Sequence, residues 1–126
     1  MLHQFSRTEL AIGPEGLEVL KKSTVAVLGV GGVGSIAVEA LARTGVGRII
    51  MIDKDVVDIT NVNRQIHALL TTIGQPKAEL MRERIKQIFP ECDAIALKMF
   101  YTEETCEELF KYDLDYVLDC SDTITY

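Results

Sequence analysis

Residues 29–34 read Gly-Val-Gly-Gly-Val-Gly, directly after the apolar run that begins at Thr24. So many glycines cannot extend a regular element, because each lacks a packing side chain and loses the most freedom on ordering. From Gly32 the apolar spacing turns helical, with Val33, Ile36, Ala37, Ala40 and Leu41 expected toward the core. Ser35, Glu39 and Arg43 are expected on the solvent side. A buried strand that breaks into glycines and reopens as a helix lets backbone approach a ligand closely. The free N–H groups and positive end of the helix dipole there attract a phosphate. Residues 48–53 (RIIMID) then make a second apolar strand after a Gly-Val-Gly turn. Strand, helix, strand is the signature of a parallel sheet.

The rest of the chain continues that alternation. A helix is expected over residues 76–89, opening at Pro76, burying Ala78, Met81, Ile85 and Ile88 or Phe89, and stopping before Pro90. Strands are expected over 93–99 and 115–120, with a Thr102-capped helix between them. A short helix is expected over 14–22, with Pro14 in its first turn. Residues 54–73 have no sustained period and read as a functional loop with one helical turn. The fold class that follows is α/β, a Rossmann-like, doubly wound and mainly parallel sheet. At 126 residues and 48% apolar, the chain supplies one core. One domain is expected over 1–126, with a helical segment (1–22) before the sheet core (23–126). The ending Ser-Asp-Thr-Ile-Thr-Tyr follows a strand where such a sheet would continue, so a longer protein is expected.

Charge and cysteines narrow the function. Acidic residues outnumber basic ones 19 to 13, a net charge of −6, whereas nucleic-acid domains carry a basic face. This segment alone is therefore expected to bind RNA poorly. Cys92, Cys106 and Cys120 have no CxxC spacing, which points away from a disulfide framework or metal knuckle and toward packing. No membrane or secretion segment is legible, and a cytoplasmic location is expected.

Asp53 ends the second strand about 20 residues beyond the glycines, where a carboxylate can accept both ribose hydroxyls. Those features suit NAD or ATP equally. ATP chemistry also needs cations around a triphosphate. Arg64 and Lys77 both fall near the C-terminal edge of the expected sheet, where ligands bind. Asp119-Cys120-Ser121-Asp122 ends the fourth strand at the same edge, and Asp122 is the candidate magnesium ligand. Asp119 is expected to order the loop.

Gly-Val-Gly-Gly-Val-Gly, Asp53-Lys54-Asp55, Asn61-Val62-Asn63-Arg64-Gln65, Gly74-Gln75-Pro76-Lys77 and Asp119-Cys120-Ser121-Asp122 occur in order. Together they resemble the ubiquitin-activating-enzyme-like family, which includes the molybdopterin- and thiamine-pathway adenylating enzymes. The resemblance covers essentially the whole chain. It implies that Gly29, Gly31, Gly32 and Gly34 lie against ATP, with Asp53 on its ribose and Asp55 beside it. Asn61, Arg64 and Lys77 would contact phosphates, Gln65 would support the site, and Asp122 would bind Mg2+. Arg7 resembles an arginine that reaches into the neighbouring subunit's site, implying a homodimer. The run Asn63-Arg64-Gln65-Ile66-His67-Ala68 and the Phe5-Ser6-Arg7 start resemble the bacterial tRNA threonylcarbamoyladenosine dehydratase branch. Such enzymes adenylate the threonyl carboxylate of a modified adenosine in tRNA, which then cyclises. On this resemblance His67 either touches substrate or is structural. Adenylation of a ubiquitin-like sulfur-carrier protein, an NAD-dependent oxidoreductase and an inactive nucleotide-binding scaffold remain the alternatives.

Overall fold

The computed structural model describes residues 2–121. β1 (Thr24–Leu28), β2 (Arg48–Ile52), β3 (Asp93–Leu97) and β4 (Tyr116–Asp119) form one sheet in the order β3-β2-β1-β4. Every pairing is parallel, from Thr24↔Arg48 to Leu28↔Ile52 in the centre. The strands therefore finish on one edge, marked by Leu28, Ile52, Leu97 and Asp119. β1 is buried throughout, which explains why it reads as a continuous apolar run rather than an alternating one.

Successive residues of a strand face opposite sides. Val25, Val27, Ile49 and Met51 pack with α2 (Gly32–Thr44) and α3 (Lys77–Ile88) through Val38, Ala42, Met81 and Ile85. Ala26, Leu28, Ile50 and Ile52 face α4 (Glu103–Phe110) through Leu109. Helices on both faces of a parallel sheet make the Rossmann-like, doubly wound architecture. α3 buries Ala78, Met81 and Ile85, with Phe89 just beyond it, and Thr102 caps α4 by accepting the Thr105 N–H. The loop after β2 holds one 3-10 turn, Ile59–Asn61.

Two elements depart from expectation. α1 (Ser6–Lys21) is longer than the helix expected over 14–22, and Gly13, at φ 76° and ψ 169°, kinks it just before Pro14. The turns before Gly13 expose Leu10 and Ile12, so no apolar face announces them. Their anchor is tertiary: Phe5 is 5% exposed and meets Phe89 edge-on, with centroids 4.9 Å apart. α2 is rotated from its expected orientation. It buries Gly34, Ser35, Val38 and Ala42, while Val33 and Ile36 are 71% and 56% exposed. Close approach to the sheet selects the small side chains, because a Cβ at Gly34 would lie 1.8 Å from the Gly29 carbonyl oxygen.

Candidate nucleotide site

At the C-terminal edge of the sheet lies a cavity of about 610 Å³, within the size range of small-molecule sites. Its floor is the glycine loop. Gly29 holds φ +86°, a left-handed conformation that disfavours other residues. A Cβ there would also lie 3.0 Å from the Cα of Ser121. Gly31 and Gly32 line the wall, and the N–H groups of the first α2 turn have no acceptor within the helix. Gly34, expected against the ligand, is buried and is not among the wall residues, and it permits close packing of the helix on the Gly29 backbone.

Asp53 follows β2 and shapes the loop. Its Oδ2 accepts the Val30 N–H at 2.9 Å and its Oδ1 the Asp55 N–H at 2.7 Å. Each carboxylate oxygen keeps a second acceptor site, so ribose hydroxyls can still bind. Asp55 lies in the same wall, and its carbonyl accepts the Lys77 N–H at 3.1 Å, tying the loop to the head of α3.

Lys77 is 6% exposed and borders the cavity, and it forms no ion pair among the described residues. A cation at a cavity wall with no direct ion pair leaves its charge available to a ligand, so a polyanion fits the position. Arg64 lines the wall and donates to the Thr60 carbonyl and Asn63 Oδ1, both at 2.9 Å. Gln65 is 7% exposed, with an Oε1 that has no partner among the described residues. Together these groups fit a nucleoside triphosphate: glycine cradle, acceptor carboxylate and cations.

Asn61, expected at the phosphates, is not among the wall residues. Its Oδ1 accepts the Asp58 N–H at 2.8 Å, while Asp58 in turn accepts from Thr60, so Asn61 shapes the loop. His67 is buried and likewise absent from the wall. Arg7 is exposed in the first turn of α1, whose start is pinned to the far ends of α2 and α3. Phe5 packs against Phe89 and beside Gly45, and Gln4 donates to the Ile88 carbonyl at 2.7 Å. Helices of that length put Arg7's anchor about 20 Å from the glycine loop of its own chain. Asp119 lines the cavity and accepts the Ser121 N–H at 3.1 Å, while Asp122 lies outside the described residues.

The opposite wall was not foreseen. Met99, Phe100 and Tyr101 come from the β3–α4 connection and Glu103 and Cys106 from α4 itself, and Lys54 Nζ sits 4.0 Å from the centroid of Phe100. The signal available was the aromatic pair after a third strand ending on the same edge. Cys106 thus joins Cys120 in the wall, where only Cys120 was expected near the site. Burial, then the neighbouring Asp119 charge, pushes the Cys120 thiol up, and burial takes Cys92 to about 11. Both thiols stay protonated at neutral pH.

The comparisons with known proteins agree with this fold. The tRNA threonylcarbamoyladenosine dehydratase of Bacillus subtilis (strain 168) is 75% identical over 126 residues, all of this chain and 50% of that protein. The Escherichia coli (strain K12) dehydratase is 44% identical over 121 residues, 96% of this chain and 45% of that protein. The crystal structure of the E. coli enzyme TcdA in complex with ATP matches with a TM-score of 0.92 at 44% identity, covering 96% of this chain and 50% of that one. The chain thus spans about half the length of the curated relatives it matches. The ThiF family model matches residues 5–126, and with its loop, sheet and relatives in accord, this chain belongs to the ThiF family.

Proposed function

We propose that this chain is the nucleotide-binding half of an enzyme that uses ATP to adenylate the carboxylate of threonylcarbamoyladenosine in tRNA, leading to its cyclisation with loss of water. The observation that carries the ATP reading is Lys77, a buried residue with no ion pair among the described residues, in the wall that the glycine loop completes. The tRNA substrate is supported by the names of the relatives at 75% and 44% identity.

ATP bound there would supply an α-phosphate for the substrate carboxylate to attack, with pyrophosphate leaving. The chain's own residues bind and orient. Asp53 receives the ribose, the Gly31 and Gly32 backbone approaches the phosphates, and Arg64 and Lys77 neutralise their charge. Asp122 is assigned to Mg2+, and Arg7 to the site of a second copy in a homodimer. Positioning and charge neutralisation account for the rate without a protein nucleophile. No helix among the described residues is long and apolar enough to cross a membrane, and a cytoplasmic location suits an ATP- and tRNA-dependent reaction.

The test incubates the intact protein with ATP and tRNA carrying the modification, then follows that nucleoside by mass spectrometry. Loss of one water, with AMP and pyrophosphate released, is expected, and Asp122→Ala should abolish it. Tight NAD binding with no ATP signal would overturn the assignment. So would the absence of dehydration together with ATP–pyrophosphate exchange that depends on a small Gly-Gly-ended protein, which would identify a sulfur-carrier substrate.

A further inference from the structure

His67 is 5% exposed, yet it belongs to an irregular loop and does not line the cavity. Its Nε2 lies 2.7 Å from the carbonyl oxygen of Val30, the residue between the first two glycines of the loop. A carbonyl only accepts, so Nε2 carries the proton and donates, and the neutral ring leaves Nδ1 as a bare acceptor. Nδ1 is buried and has no partner among the described residues. Burial, followed by the repulsion of Lys77, holds the ring below the usual histidine range against the Val30 bond and the Asp53 charge. The ring is therefore a neutral donor fixed in one tautomer.

Val30 is itself fully buried and is clamped from both sides. Its N–H goes to Asp53 and its C=O to His67. These two groups belong to different peptide units, and the second unit joins Val30 to Gly31. A trans peptide is planar, with its C=O and N–H pointing in opposite directions, and no cis bond occurs among the described residues. Drawing the Val30 oxygen to His67 therefore turns the Gly31 N–H the other way, away from His67, and Gly31 itself lines the cavity whereas His67 does not. Without that bond, little would prevent this unit from flipping, because Gly31 has no Cβ to oppose rotation.

We infer that His67 is a positioning residue that aims the Gly31 N–H at the phosphates of the nucleotide by holding the Val30 carbonyl. This rests on the ATP reading of the cavity. A residue that merely filled space would support every part of the ligand equally. His67 acts on the phosphate end alone, since the Asp53–Val30 clamp on the ribose side belongs to the preceding peptide unit.

Calorimetry on the intact protein, comparing ATP with adenosine, tests this. His67→Leu is expected to lose ATP affinity roughly 10- to 100-fold, the worth of one hydrogen bond to a charged group, while adenosine affinity stays within about threefold. His67→Gln, whose amide nitrogen can stand near the Nε2 position, should keep most of the ATP affinity. His67→Asn, whose donor falls nearer the backbone, should behave like the leucine variant. Equal loss of both ligands in His67→Leu, or unchanged ATP binding, would overturn the inference. If the leucine variant does not fold by circular dichroism, the Gln and Asn variants decide, and an identical ATP-to-adenosine ratio in the two overturns it. Wild-type protein that binds no ATP would remove the nucleotide reading itself, whereas ATP binding indifferent to residue 67 would remove only the role of His67.

Discussion

The glycines of the loop are not equivalent, and the difference is one of neighbours. A methyl group at Gly34 would lie 1.8 Å from the Gly29 carbonyl oxygen, which is backbone that cannot move without breaking the cradle. At Gly32 the nearest atom is the Cγ of Arg64 at 3.9 Å, ordinary contact. Both positions are helical, where glycine to alanine normally gains up to about 1 kcal/mol. Gly34→Ala is therefore expected to reverse that sign and cost about 3 kcal/mol, the upper end for overpacking. Gly32→Ala should stay within about 0.5 kcal/mol of wild type. Urea unfolding of the two variants beside wild type checks the contrast. A Gly34→Ala protein as stable as wild type would mean that the helix does not approach β1 this closely.

Among the elements, α2 and α3 are joined by a side-chain link as well as by apolar packing. Glu39 on α2 receives Arg84 from α3 and also pairs with Arg43 at 3.5 Å. The Arg84 hydrogen bond, aided by both arginine charges, holds the Glu39 carboxyl below its ordinary 4.5 despite partial burial. A carboxyl lowered in the folded state contributes stability above its unfolded value, and that contribution fades as pH falls through the folded value. Glu39→Gln is thus expected to cost about 0.5–1 kcal/mol at neutral pH, because the pair is half-exposed and screened. The difference should shrink between neutral pH and about pH 3, below the ordinary carboxylate range and toward the lowered folded value. Urea midpoints at both pH values measure it, and an equal penalty at each would mean that Glu39 acts by packing rather than by charge.

For the molecule as a whole, polarity is the organising fact. The cavity opens at the C-terminal edge of the sheet, whereas α1 is anchored at the opposite ends of α2 and α3. If Arg7 contributes to catalysis, a second copy must bring it. Mixing Arg7→Ala with Lys77→Ala protein should restore up to about a quarter of wild-type activity, since random exchange makes half of the dimers mixed and each mixed dimer keeps one intact site. Activity staying at the level of the separate variants, although the subunits exchange, would remove the in-trans role. The net charge of −6 gives the tRNA proposal a second requirement at this scale. Phosphate contacts need Lys and Arg, so the basic surface must come from outside this segment.

Local pattern determined the alternation of strands and helices, the glycine turn and the position of Asp53. Each depends on chemistry within a few residues: a continuous apolar run, a missing Cβ, a carboxylate at a strand end. Three-dimensional neighbours decided the rest. Two apolar stripes compete on α2, and the sheet chose the one with small residues, leaving Val33 and Ile36 in solvent. Asn61 and Lys77 both stood as polar candidates, but Asn61 closes its own turn whereas Lys77 is buried at a cavity wall. Phe100 and Tyr101 became wall residues because β3 ends on the same edge as β1. His67 found its partner 37 positions away in the glycine loop. Spacing along the chain specifies which groups are present and how they repeat, but burial and orientation depend on contacts between segments distant in sequence, and these exist only once the sheet has assembled.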